Sequence, residues 1–338
     1  MITDVDLVVP AVRLGDWLAA RGLSAGAPLQ IEQLSGGASN LTFRVRTAAA
    51  DWVLRRPPAT GVLPTAHDVV REHDIQRALG STAVPVPRMV AACADAAVIG
   101  APFYLMQHVE GSIYGTVDAV AALSAADARA VSLALADTLA ELHAVDPDTV
   151  GLAGLARPEP FVERQLRRWK GQWERSAPTP LPVLDAVFAE LERRRPPPTP
   201  ASVVHGDYNL ANVMFSGTTV VAVLDWELTA LGDPLADLGA LLAYWGAAGR
   251  VLIASRGGHL PDANPGMAGA DELVSRYEAA IGERADDLPF FEAMATAKLA
   301  VICAGAMLRA TDQSEERRAQ SWRTVTALAD IAAATLGF

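Results

Sequence analysis

The sequence predicts an α+β chain in two lobes: a small antiparallel sheet with one helix, then a larger and mainly helical lobe. Three observations point there. The chain has 338 residues, beyond the ~250–300 at which one hydrophobic core stops growing. Up to about residue 107 the apolar residues alternate in β fashion around a single helical stretch, whereas after Gly111 the chain turns alanine- and leucine-rich with helical spacing. Between 203 and 225 short apolar β-type runs return, interrupted by His205, Asp207, Asn209 and Asn212. With 51% hydrophobic and 20% charged residues, the composition is that of an ordinary globular protein.

The elements follow in order. LQIEQL leads into the turn SGGASN, LTFRVRT alternates, and WVLRR opens a further β run after AAAD. AHDVVREHDIQRAL, residues 66–79, suits one helix with Val69, Val70, Ile75 and Leu79 on its core side. PVPRMVAACADAAVIGAPFYLMQHVEG reads as two strands around a turn at Asp95, which closes a first lobe at 1–106 and leaves 107–338 for the second. LSAADARAVSLALADTLAELHA, 123–144, is a helix with Ser124 as its N-cap. Its last-turn His143 is expected to be satisfied by backbone carbonyls. FVERQLRRWKGQW and LPVLDAVFAELERRR are further helices, and PPPTP at 196–200 ends the second. Beyond 233 the helical patterns are LADLGALLAYW, ADELVSRYEAAI and the run from Pro289 to Arg309, while 257–270, GGHLPDANPGMAGA, reads as a mobile loop.

A formal charge of −11 argues against a large basic nucleic-acid face and suits a cationic or metal-bridged ligand. Cys93 and Cys303 sit in apolar neighbourhoods with no zinc or disulfide spacing, as expected of two reduced core thiols in a cytoplasmic protein. MITDVDLVVP has no signal-peptide pattern, and the apolar segments are cut by Arg, Asp, Gly or Pro before ~18 residues, so no membrane span is expected.

The chemistry is concentrated in VVHGDYNLANVMF, 203–215. A lone His-Gly-Asp is a turn, but here Asp207 and Asn212 lie in a loop bracketed by apolar strands. Thirteen residues after Asn212 the strand VVAVL ends in Asp225. Two carboxylates and an amide delivered by strand ends suit Mg²⁺, which takes hard oxygen ligands and nucleotide phosphates. The aspartate of a D-x-x-x-x-N loop can orient an attacking hydroxyl or accept its proton, while the amide and the downstream aspartate hold metal. Gly36, Gly37, Ser39 and Asn40 form either a hairpin turn or a loop whose backbone N–H groups, with the Ser39 hydroxyl, cradle phosphate.

HGDYNLANVMF followed by VLDWELTALGDPLADLG resembles the catalytic segment of the aminoglycoside phosphotransferase and choline kinase superfamily, a branch of the protein-kinase-like fold. LSGGASNLTFRV resembles that family's nucleotide loop, VVREHDIQRAL its N-lobe helix and PFYLMQHVEG its hinge. The combination of WVLRRPP, STAVPVPRMV, VIGAPFYLMQHVEG and RQLRRWKGQW is most similar to the kinase-like domain fused to some acyl-CoA dehydrogenases and to its free-standing bacterial relatives. The resemblance implies a bilobal kinase-like fold, with nucleotide bound by the first lobe and the acceptor by the second. It implies ATP and Mg²⁺ as cofactors and a small-molecule hydroxyl as acceptor. It assigns Asp207 as catalytic base, His205 as an orienting residue, Asn212 and Asp225 as metal ligands, and Asp237 as a brace of the loop. It places Gly36, Gly37, Ser39 and Asn40 at the phosphates. In the hinge, the backbone of Gln107 and Val109 faces adenine with Met106 behind.

One departure stands out. The strand that normally carries a phosphate-contacting lysine reads WVLRRPP, so Arg55 occupies that position with Glu72 as its helix partner, while Arg56 is expected to face solvent. Absence of the lysine leaves open a nucleotide-binding pseudokinase. In FVERQLRRWKGQWER, a core stripe of Phe161, Leu166 and Trp169 with a charged outer face competes with a basic element over the acceptor. The latter favours an anionic acceptor such as a hydroxyacyl-CoA, whereas an aminoglycoside or amino-alcohol calls for acidic surroundings.

Overall fold

The computed structural model describes residues 5–24, 28–34, 40–58, 68–253, 259–310 and 314–338. The chain divides into two compact units: Met1–Glu110 with Asp225–Glu227, and Gly111–Leu224 with Leu228–Phe338. Gly36, Gly37 and Ser39 lie outside the described residues.

The first unit contains helix α1 (Ala11–Ala19), strands β1 (Gln30–Gln33), β2 (Leu41–Arg46) and β3 (Asp51–Arg56), helix α2 (Val69–Leu79), and strands β4 (Met89–Cys93) and β5 (Phe103–Gln107). The strands form one antiparallel sheet in the order β1-β2-β3-β5-β4. The period of two along a strand sorts the side chains. Phe43, Val45, Trp52, Leu54, Phe103 and Leu105 share a face and pack with Leu14, Trp17 and Leu18 of α1. Val53, Tyr104 and Met106 face the other way, against Val69 of α2. Each fully buried Phe or Leu adds roughly 1.5–3 kcal/mol. The sheet therefore has a helix on each face, where the sequence reading had one. α1 was overlooked although Leu14, Trp17 and Leu18 carry helical spacing.

The same alternation places Arg55 on the α2 face and Arg56 on the α1 face. Arg56 is buried rather than solvent-facing: its guanidinium donates to the carbonyls of Val8, Ile99 (2.9 Å) and Pro57 (3.1 Å), and burial pulls its pKa down. Three carbonyls make the burial tolerable, because a sequestered cation needs its N–H groups satisfied.

The second unit runs α3 (Val117–Ala121), α4 (Ala125–His143), α5 (Phe161–Ser176), α6 (Pro182–Arg193), β6 (Ser202–Val204), β7 (Val213–Ser216), β8 (Thr219–Val223), β9 (Ala230–Gly232), α7 (Leu235–Trp245), α8 (Ala247–Ile253), α9 (Ala270–Ile281), α10 (Leu288–Arg309) and α11 (Glu315–Thr335). Ser124 caps α4, its Oγ accepting from the Asp127 N–H at 3.1 Å. Two two-stranded pairs, β6–β9 and the hairpin β7–β8, are both antiparallel. The core gathers Trp169 and Trp173 of α5, Leu184 and Phe188 of α6, Ala240 of α7 and much of α10 and α11. α10 has 22 residues and an 18-residue window of mean hydropathy 1.5, long and apolar enough to cross a membrane, so one apolar segment runs longer than the sequence suggests. Its most apolar window is 67% buried inside the protein, as in a core helix.

Two further expectations are corrected. Cys303 is only half-buried, whereas Cys93 is buried. The described part of 257–270 is anchored: Asn264 is buried and its Nδ2 donates to the carbonyls of Val120 (3.1 Å) and Leu123 (2.8 Å).

Candidate active site

In the second unit, β6 delivers Val203 and Val204 into the core by pairing with β9, and the chain then turns at His205-Gly206-Asp207. Gly206 has φ +85°, a conformation that costs a side-chain-bearing residue ~1–2 kcal/mol. A Cβ there would lie 2.8 Å from Leu228 Cβ and from the Leu228 carbonyl oxygen, so the turn requires glycine on two counts.

Asp237, buried at the start of α7, holds this turn. Its Oδ2 accepts from the His205 N–H (2.5 Å) and its Oδ1 from the Gly206 N–H (2.8 Å). Burial pushes its pKa up, but hydrogen bonding and charge from His143, with His205 and the Gly206 N–H, outweigh that and hold it below the ordinary carboxylate value. His143 is thus satisfied by side chains and not by carbonyls: Nδ1 pairs with the Tyr277 hydroxyl at 2.7 Å and Nε2 faces Asp237 at 3.4 Å. The His205 ring accepts the Asp207 N–H at Nδ1 (3.2 Å) and donates from Nε2 to the Leu224 carbonyl (2.8 Å), which fixes its tautomer.

Asp207 is half-buried, and its carboxylate is oriented from two sides. Asn212 Nδ2 donates to Oδ2 (3.1 Å) and to the Asp207 carbonyl (2.9 Å), and the Tyr244 hydroxyl donates to Oδ1 (3.3 Å). Because the Asn212 amide points its nitrogen at Asp207, its oxygen is left as the hard donor a metal takes. Lys298 of α10 donates from Nζ to the Gly206 carbonyl at 2.8 Å, and burial lowers its pKa. A cavity of about 60 Å³ beside this loop is lined by Gly206, Leu228, Asp237 and Lys298 together with Phe161, Gln165, Arg168 and Trp169 of α5. Trp169 is the buried stripe residue expected, with the Arg168 guanidinium 4.9 Å above its ring. Arg167 and Lys170 are paired with Glu159 and Glu192, so Arg168 is the α5 cation that lines the cavity.

The first unit assembles a second group. Arg55 Nη2 donates to Asp225 Oδ1 at 2.5 Å, and Arg55 Nε lies 3.4 Å from Glu72 Oε2. Glu72 Oε1 accepts from the Tyr104 hydroxyl (3.0 Å), which in turn accepts from Gln76 Nε2 (3.1 Å). Burial pushes Glu72 up to about 7, against the pull of Arg55. Burial also opposes the Arg55 charge, but Glu72, Tyr104 and Asp225 raise its pKa on balance. Asp225 has φ +67°, the one positive value at a non-glycine among the described residues.

The nucleotide assignments can be tested for fit. Asn40 is 2% exposed and neither amide atom has a hydrogen-bond partner among the described residues, as expected of a group that awaits a polar ligand. Met106 is buried with Val53, Tyr104 and Val69 behind the hinge. The Gln107 N–H already donates to the Arg88 carbonyl (2.8 Å) and the His108 N–H to the Asp51 carbonyl (3.1 Å). Of the two backbone positions expected at adenine, the Gln107 N–H is therefore already engaged and cannot serve as donor. Sequence reasoning overlooked Tyr104, Tyr244 and Lys298. The one signal available was that the chain has only two lysines, and Lys298 interrupts a long apolar helix.

The description of the phosphotransferase enzyme family matches residues 30–273. Acyl-CoA dehydrogenase family member 11 of Rattus norvegicus is 34% identical over 301 residues, covering 88% of this chain and 38% of that protein. The chain thus spans well under half the length of this relative. A Ralstonia eutropha JMP134 protein, provisionally assigned as an aminoglycoside phosphotransferase, superposes with a TM-score of 0.81 at 29% identity, covering 96% of this chain and 97% of that one. The aminoglycoside phosphotransferase APH(4)-Ia, solved as a variant in ternary complex with AMP-PNP and hygromycin B, shares the fold at a TM-score of 0.63 and 13% identity over 95% of this chain and 98% of that one. With the fold, the match over 30–273 and the relative covering 88% of its length all in agreement, the chain belongs to the phosphotransferase enzyme family, on a protein-kinase-like α+β fold.

Proposed function

We propose that the chain transfers the γ-phosphoryl group of ATP, with Mg²⁺, to the hydroxyl of a small anionic molecule of the hydroxyacyl-CoA type, with Asp207 as the base. The observation that carries this reading is the Asp207 carboxylate, oriented by Asn212 and Tyr244 on a loop whose turn Asp237 holds. Phosphoryl transfer demands little covalent chemistry of the protein; it demands a positioned nucleophile and stabilised charge. Asp207 aligns the acceptor hydroxyl and takes its proton. The acceptor oxygen bonds to the γ-phosphorus as the bond to the β–γ bridging oxygen breaks, and ADP leaves.

Asn40, Val109 and Met106 would take the nucleotide, joined in the family's pattern by Gly36, Gly37 and Ser39. Asn212 and Asp225 would each offer Mg²⁺ an oxygen, and Mg²⁺ when bound neutralises phosphate charge. The complex of APH(4)-Ia with AMP-PNP supports the nucleotide. Support for an anionic acceptor comes from Arg168, which lines the cavity beside the loop, and from the acyl-CoA dehydrogenase named in the relative. A phosphorylation screen with labelled ATP tests the proposal against hydroxyacyl-CoAs, aminoglycosides, choline-like alcohols and sugars, with Asp207→Asn as blank. Label in a hydroxyacyl-CoA supports it; label confined to an aminoglycoside or amino-alcohol replaces the acceptor.

A second reading, a nucleotide-binding regulator without transferase activity, is favoured by the Arg55–Asp225 hydrogen bond, which engages an oxygen of an assigned metal ligand. Mg²⁺-dependent nucleotide binding with no ADP release above the blank is its signature.

A further inference from the structure

We propose that Lys298 is a positioning residue for phosphoryl transfer: from α10 its ammonium clamps the Gly206 carbonyl and so fixes the peptide that aims Asp207. This rests on the assignment of Asp207 as base, but the clamp itself is a matter of geometry in one unit.

The sequence makes the position unusual. The chain carries 28 lysines and arginines, and only Lys170 and Lys298 are lysines. Lys170 is on an exposed pair with Glu192. Lys298 stands in mid-helix on α10, where the neighbours Ala295, Ala297, Leu299 and Ala300 are all buried. An ammonium there loses hydration, which makes its placement costly unless its N–H groups are used. Among the described residues no carboxylate forms an ion pair with it, and Asp207 and Asp237 act on its charge only from beyond that distance; its hydrogen bond goes to a backbone carbonyl, and its cation lies 5.7 Å from the centre of the Trp169 ring.

That carbonyl belongs to the peptide joining Gly206 to Asp207. Gly206 is gripped at both ends, its N–H by Asp237 Oδ1 at 2.8 Å and its carbonyl by Lys298 Nζ at 2.8 Å. Its left-handed φ of +85° is one that glycine leaves with little resistance, so the two charged partners supply the rigidity glycine lacks. With the Gly206 carbonyl held, the Asp207 N–H points at His205 Nδ1, and the Asp207 side chain is delivered to Asn212 and Tyr244. A compact ammonium suits this place better than a guanidinium, since a planar fork needs room for two parallel bonds.

The test compares Lys298→Met and Lys298→Arg with the wild-type chain in two measurements. The first is amide hydrogen exchange of the segment 203–212. Loss of a charge-assisted hydrogen bond should speed exchange there by about tenfold or more in Lys298→Met, with α4 and α9 unchanged and with Lys298→Arg in between. The second is turnover of Mg-ATP with water as acceptor. Misaiming of the base by a fraction of an ångström should lower kcat by about 100-fold at a KM for Mg-ATP within about threefold of wild type, partly restored in Lys298→Arg. Unchanged exchange in 203–212 overturns the clamp whatever the activity. A raised KM with kcat kept also overturns it, making Lys298 a nucleotide contact. Absence of wild-type turnover counts against phosphotransfer, while exchange still decides the clamp.

Discussion

Asp237 carries the loop because a buried carboxylate can accept from two successive backbone N–H groups at once, which no other side chain does as well. Removing its charge leaves those donors and His143 poorly matched in the interior, so Asp237→Asn should cost about 3–5 kcal/mol in denaturant unfolding. The pH dependence has a definite sign. The folded-state pKa lies below the ordinary 3.8, so its contribution is fully present above that value and is lost as pH falls through the lower, folded one. The stability gap between wild type and Asp237→Asn should therefore narrow below about pH 4. Gly206→Ala should lose about 2–4 kcal/mol, from left-handed strain and overpacking against Leu228, and most activity with it. Equal stability of either variant with wild type would contradict this picture of the turn.

At the scale of elements, alternation and helical spacing made much of the fold legible. Ser124 caps α4 as the pattern indicates, and 66–79 contains α2, which starts at Val69 because Asp68 caps it. What the pattern could not show is which face an end residue takes up. Arg56 looked solvent-facing beside Arg55, yet strand alternation under α1 buries it on three carbonyls. The glycine within α7 is explained by its close approach to α10, visible only in three dimensions. A Cβ on Gly239 of α7 would lie 2.6 Å from the Phe291 backbone of α10. Gly239→Ala should consequently destabilise by about 1–3 kcal/mol through overpacking, measured by thermal or urea unfolding. A neutral result would mean that the α7–α10 crossing is looser than the structure has it.

At the scale of the molecule, the candidate site was legible where chemistry travels with a short motif and illegible where it is supplied from afar. His205, Asp207 and Asn212 fall within seven positions of one another and their grouping follows from one loop. Lys298 reaches Gly206 across 92 positions, and Tyr244 reaches Asp207 across 37, with no local pattern to announce either. Family membership rests on most of the length of the chain and not on that loop alone. If the nucleotide assignments hold, Mg²⁺ with AMP-PNP should raise the melting temperature, by linkage worth about 2.7 kcal/mol at a hundredfold excess over Kd. Chelation of the metal should cancel most of the shift, and an equal shift without metal would count against Asn212 and Asp225 as its ligands.

The central claim, that Asp207 is the base of a phosphoryl transfer, meets its most direct test in the steady-state kcat of Asp207→Asn beside wild type at saturating Mg-ATP and acceptor. Asparagine keeps the shape and the hydrogen bond from Tyr244 but cannot take the proton, so kcat should fall by about 10²–10⁴-fold with the fold intact by circular dichroism. Turnover within a few-fold of wild type in that variant would contradict the account.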